Sequence, residues 1–197
     1  MSLRTGSYKG RNVAVLGGGP SLNSLDLSSI RRRYPVVVGV NMAFVHDPDL
    51  NLVGDERLVE RLKSDRQYES YAGVKFEMGA IRKASAWTNA LEDGLYWPSD
   101  TGIAAVNLAD VLGARSILLC GFDLSSPTKL SSNWHTEYPP DWGTNAEQLY
   151  GRMLGNWKKQ RPNIRCQEVY VATASADHPL VAACNFGLDF SHFKAAP

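Results

Sequence analysis

The chain has no phosphate loop ending in lysine, no paired cysteines, no long apolar run and almost no net charge. Each absence removes a class of function. Its 197 residues carry 21 Lys and Arg against 20 Asp and Glu, a formal net charge of +1. So even a balance gives no electrostatic footprint for nucleic acid or for an anionic membrane surface. The one compact basic run, Arg31-Arg32-Arg33, suits the last turn of a helix, where cations complement the macrodipole. Cys120, Cys166 and Cys184 are widely spaced and odd in number, which excludes a disulfide framework and a zinc knuckle and fits a reducing cytoplasm. Residues 1–11 are polar and basic, without the apolar stretch of a secretory signal. No run approaches the roughly 20 apolar residues that cross a bilayer. Apolar residues make up 44% and charged ones 21%, enough for one well-cored globular domain over 1–197.

What is present begins at Asn12-Val13-Ala14-Val15-Leu16, a short apolar run that feeds Gly17-Gly18-Gly19-Pro20-Ser21-Leu22. This is how a buried strand ends in a turn whose bare backbone can approach a phosphate. Gly18, Gly19 and Ser21 each have an N–H to offer, and Ser21 a hydroxyl; Pro20 suits the first turn of a helix. No lysine follows, so the turn is not a P-loop. The dinucleotide fingerprint fits Gly17 and Gly19 but meets Leu22 at its third position. Its ribose-holding acid is missing too, because the second strand, Val36–Val40, ends at Asn41. A nicotinamide enzyme is therefore not expected.

Further strand-like runs are Leu50–Val53, ending at Gly54-Asp55, then Val74–Phe76, Ser116–Cys120, ending at Gly121-Phe122-Asp123, and Cys166–Val171, the last. Helices are expected over 55–63, 102–112 and about 145–159, with Gly113 stopping the second. Residues 79–99 show no period. Residues 124–143, rich in Ser, Pro and Trp, read as a long lid-like loop. Alternating continuous apolar strands and helices predict an α/β fold: a Rossmann-like, doubly wound, mainly parallel sheet with helices on both faces. Ligands of such sheets bind beyond the carboxyl ends of the strands, where Gly17–Ser21, Asn41, Gly54-Asp55, Gly121–Asp123 and Thr173–Ser175 fall.

Acids following apolar strands suit Mg²⁺ held against a diphosphate, or else the cap of the next helix; Asp55 and Asp123 are the two in question. Trp134, Tyr138 and Trp142 suit either stacking on a base or sugar ring, or pinning the loop. His46, His178 and His192 form no ligand pattern with one another, so no metal site is expected.

Taken in order, Leu16–Leu22, Gly39-Val40-Asn41, Thr101-Gly102 and Leu118–Asp123 resemble the family 42 bacterial sialyltransferases. They resemble equally a related group with archaeal hydroxymethylpterin diphosphokinases and phage-encoded proteins of unassigned function. The resemblance implies nucleotide contacts at Gly18, Gly19, Pro20, Ser21 and Asn41, with Thr101 and Gly102 at the base or ribose. Gly17, Gly121 and Asp55 complete the candidate binding set. His135 is implied as the general base that takes the acceptor's hydroxyl proton, with Asp123 beside it in the candidate catalytic pair. Gly18 stands where the family carries asparagine, and Ser125 where it carries tyrosine. The implied activity is glycosyl transfer from a nucleotide sugar of the CMP type to an unknown acceptor, with a homo-oligomer left open. The alternatives are a Mg²⁺-dependent diphosphokinase-like transferase and a non-catalytic nucleotide-binding phage or prophage accessory protein.

Overall fold

The computed structural model describes residues 4–77, 100–124 and 146–194. Seven strands form one sheet: β1 (Asn12–Leu16), β2 (Val36–Val40), β3 (Leu50–Val53), β4 (Val74–Glu77), β5 (Ser116–Cys120), β6 (Glu168–Ala172) and β7 (Gly187–Asp189). Their order is β4-β3-β2-β1-β5-β6-β7, and every pair is parallel. Parallel strands covered on both faces are apolar at every position rather than at alternate ones. β2, β3 and β5 are buried throughout, as their sequences VVVGV, LNLV and SILLC require.

The helices are α1 (Leu27–Arg33), α2 (Glu56–Leu62), α3 (Arg66–Ser70), α4 (Thr101–Val111), α5 (Ala146–Gln160) and α6 (Pro179–Cys184). Short 3₁₀ turns cover Pro20–Ser24, Asn41–His46 and Arg161–Asn163. Successive residues of β1 face opposite sides of the sheet. Val13 and Val15 join a core with α4 and Trp157 of α5, whereas Ala14 and Leu16 join one with Ile30 of α1 and Tyr34. A third cluster sets Met42 and Phe44 against Val53, Leu58, Leu62, Tyr68 and Tyr71.

Caps explain where the helices begin. The carboxylates of Asp26, Asp55, Asp65 and Asp100 accept from the first amides of α1, α2, α3 and α4, and His178 does the same for α6. For the buried Asp100 such a cap contributes about 1 kcal/mol. Arg31, Arg32 and Arg33 occupy the last turn of α1, and Gly113, at φ +89°, ends α4. All three cysteines are free and buried. Among the described residues no helix is long and apolar enough to cross a membrane.

The expected α/β doubly wound architecture is present, with three elements added, α3, α6 and β7. The strand expected last, at 166–171, lies at Glu168–Ala172 and is followed by β7; α3 follows the helix expected over 55–63. From β1 the chain winds outward to β4, and α4 then carries it back to β5 on the other flank of β1. The winding therefore reverses between β1 and β5. A crevice opens at such a reversal, at the carboxyl ends of the strands.

Candidate functional site

Two loops meet at this reversal, and their backbones touch. The Gly17 N–H donates to the Cys120 carbonyl and the Gly19 N–H to the Gly121 carbonyl, both at 2.7 Å. The Ser21 N–H donates to Oδ2 of Asp123 at 3.0 Å. A Cβ on Gly17 would lie 2.6 Å from the Gly121 oxygen, and one on Gly19 would lie 2.2 Å from Oδ2 of Asp123. Gly121 itself has a φ of +70°, which glycine adopts without strain. The glycines are thus needed where one loop presses on the other.

This changes the donor inventory of the turn. Of the three N–H groups the sequence offers a ligand, those of Gly19 and Ser21 are bonded within the chain. Among the described residues no acceptor takes the Gly18 N–H, and the Ser21 Oγ is buried without a hydrogen-bond partner. Pro20 opens the short 3₁₀ turn, as its fixed φ favours.

The other predicted residues adjoin this seam in a row. The Phe122 ring lies against Gly17 on one side and Gly102 on the other, within 3.0 Å of where each Cβ would be. The hydroxyl of Thr101 lies against Gly54, and the Gly54 N–H donates to Oδ1 of Asn41 at 3.1 Å. Asn41 sits at φ +55°, held there by the amide of buried Asn51, which donates to its carbonyl at 2.9 Å. The turn, Asn41, Thr101, Gly102, Gly121 and Asp123 therefore share one edge of the sheet.

The aspartates differ. Asp100 is buried; its Oδ1 accepts from the Gly102 and Ile103 amides, and its Oδ2 has no hydrogen-bond partner. Burial holds this carboxyl above its ordinary range, opposed by the two amides. Asp55 is committed to α2: its Oδ1 accepts from the Arg57 N–H at 2.8 Å and faces the Arg57 guanidinium. Its placement is that of a helix cap. His135, Trp134, Tyr138, Trp142, Ser125 and most of the loop expected over 124–143 lie outside the described residues, as does the stretch 79–99.

One histidine that sequence reasoning set aside belongs to this edge. His178 follows β6, the neighbour of β5, and is 5% exposed. Its Nδ1 accepts from the Leu180 N–H at 3.2 Å. Burial pushes its pKa down, while the nearby Asp123 carboxylate pulls it up. The signal in the sequence was its position before Pro179, three residues beyond Thr173–Ser175.

A cavity of about 460 Å³ lies away from this crevice, lined by Arg33, Tyr170, Leu188, Asp189, Phe190 and Ser191. Beside it Ser29 Oγ is 3.2 Å from His192 Nδ1, and His192 Nε2 is 3.6 Å from Asp189. The second distance is too long for a hydrogen bond, and Ser29 does not line the cavity. The group ties α1 to the C-terminal segment and lacks the geometry of a nucleophile.

No family model matches the chain, and no curated protein matches it. Among solved structures it is similar to the sialyltransferase CstII from Campylobacter jejuni in complex with a substrate analogue, cytidine-5'-monophosphate. The identity is 13%, over 96% of this chain and 89% of that one, with a TM-score of 0.42. It is also similar to the sialyltransferase CST-II in complex with a trisaccharide acceptor and CMP, at 11% identity over 90% of this chain and 86% of that one, TM-score 0.43. Neither likeness is close enough to assign a chemistry, and the site is read from its own residues.

Proposed function

We propose that the chain is a transferase that binds a nucleotide-type donor in the crevice between β1 and β5 and passes on its activated group. The donor is taken to be a nucleotide sugar of the CMP type. One observation carries the reading: hydrogen-bonding groups that no described residue engages gather along the strand ends beside the point where the sheet winding reverses. The Gly18 N–H and Ser21 hydroxyl suit a phosphate oxygen, and Asn41 Nδ2 and the Thr101 hydroxyl suit the ribose or base. In this reading His135 takes the proton of the acceptor hydroxyl as the glycosyl group leaves its phosphate. A Mg²⁺-dependent diphosphate transfer is less well supported, because the Asp55 carboxylate already serves α2 and Arg57.

A thermal-shift screen with CMP, CMP-sialic acid, UDP- and GDP-sugars, and ATP with and without Mg²⁺ tests this. A ligand present at 100 times its Kd stabilises the fold by about 2.7 kcal/mol. A raised midpoint with one nucleotide, unaffected by EDTA, is the expected result. His135→Ala should then abolish transfer while leaving donor binding intact. If no nucleotide moves the midpoint, the reading fails.

A further inference from the structure

Among the described residues, His178 stands apart from the other side chains that cap α-helices, which are aspartates. Whether the ring does more than cap α6 depends on its second nitrogen. An imidazole whose Nδ1 accepts a hydrogen bond carries its proton on Nε2 when neutral. The Leu180 N–H therefore fixes the tautomer: Nε2 is a donor and has no lone pair to act as a base. Burial keeps the ring neutral, so the donor persists at physiological pH. Among the described residues no acceptor is bonded to Nε2, and this atom keeps access to solvent although the residue as a whole is 5% exposed.

Its place is set by the sheet. β5 and β6 are adjacent and in register, with Cys120 opposite Ala172. The segments that follow them, ending at Asp123 and His178, therefore leave the same edge side by side. Asp123 is the charged group that acts on the ring, and its Oδ2 also holds the Ser21 N–H. Turn and carboxylate are joined by that hydrogen bond, and the imidazole lies near enough to the carboxylate to feel its charge.

We infer that His178 is the neutral hydrogen-bond donor to the phosphate of the bound nucleotide. The inference rests on the nucleotide reading of the crevice and adds the residue that stabilises the leaving group. In the transfer, the bond between the glycosyl carbon and the phosphate oxygen breaks and its electron pair stays on that oxygen. The acceptor oxygen bonds the carbon, and its proton passes to the base. Charge builds on the phosphate, where a donor that is fixed and neutral stabilises it without giving up its own proton.

His178→Asn separates this role from the cap, because the amide oxygen accepts the Leu180 N–H in place of Nδ1 while the Nε2–H is lost. Calorimetric titrations of wild type and H178N with CMP and with cytidine are compared. CMP should bind H178N at least about tenfold more weakly, as expected for loss of a hydrogen bond to a charged group, while cytidine binds both equally. Equal CMP affinities, or equal losses for CMP and cytidine, overturn the inference and leave the nucleotide reading standing. If neither ligand binds the wild type, the CMP-type donor and this inference with it fall, whereas the nucleotide reading itself falls only if no nucleotide of the thermal-shift screen binds. Independently of any ligand, ¹⁵N shifts of the ring should report the Nε2–H tautomer; a Nδ1–H tautomer overturns the assignment by itself.

Discussion

Gly19 has an ordinary backbone conformation, with φ −73° and ψ 150°. It is glycine for want of space, since a Cβ would meet Asp123 Oδ2 at 2.2 Å and the Gly121 oxygen at 2.7 Å. One obstacle can rotate away and the other is backbone. Gly19→Ala should therefore destabilise the fold by about 1–3 kcal/mol, in the range of overpacked cores, read as a lower urea midpoint with an unchanged slope. The need for glycine here was legible in the sequence, but its reason was not. Asp123 is 102 positions from Ser21, and only the order of the strands brings them together. His178 escaped for a similar reason, because its neighbour is set by the pairing of β5 with β6 and not by spacing.

Among the elements, α4 is held from both ends by buried aspartates. Asp100 caps its start, and Asp110 near its end accepts from the amides of Cys166 at 2.8 Å and Arg165 at 3.1 Å. The second contact docks the helix on the segment that enters β6. Asp110→Ala should cost about 2–3 kcal/mol, since it removes charged hydrogen bonds and strands a buried N–H. Faster hydrogen exchange at Cys166 than at β1 amides would confirm that the loss is local. Strand limits were readable because buried parallel strands are continuous apolar runs: β1, β2, β3 and β5 match their expected bounds. β7, three residues with the sequence GLD, shows neither alternation nor an apolar run, and its existence depends on β6 as a template. The five-residue α3 is likewise too short for a period, though Asp65 marks its start.

For the whole molecule, buried titratable groups set the pH range of stability. Burial lowers the pKa of His46, His178 and His192 below the ordinary 6.5. As pH falls through 6.5 the unfolded chain takes up protons that the folded one refuses, so stability is lost on the acid side. Burial raises Cys120, Cys166 and Cys184 above the ordinary 9.0 and Tyr34 to about 12. There the unfolded chain releases protons that the folded one keeps, and stability is lost as pH rises through 9. Urea midpoints should thus form a plateau between about pH 7 and 9 and fall on either side. A midpoint still rising as pH drops from 7 to 5 would contradict this.

The seam between the two glycine loops also governs how this chain can diverge. At Gly17 and Gly19 part of the obstacle to any larger residue is the Gly121 carbonyl, which belongs to the main chain and cannot be trimmed by a compensating substitution. Core positions can trade volume with their neighbours over time; these cannot. Mutational drift is therefore free to rewrite the strands around the seam while the glycines stay fixed together. A descendant that lost one of them would have to shift the facing loop, at a cost in stability, to keep the fold.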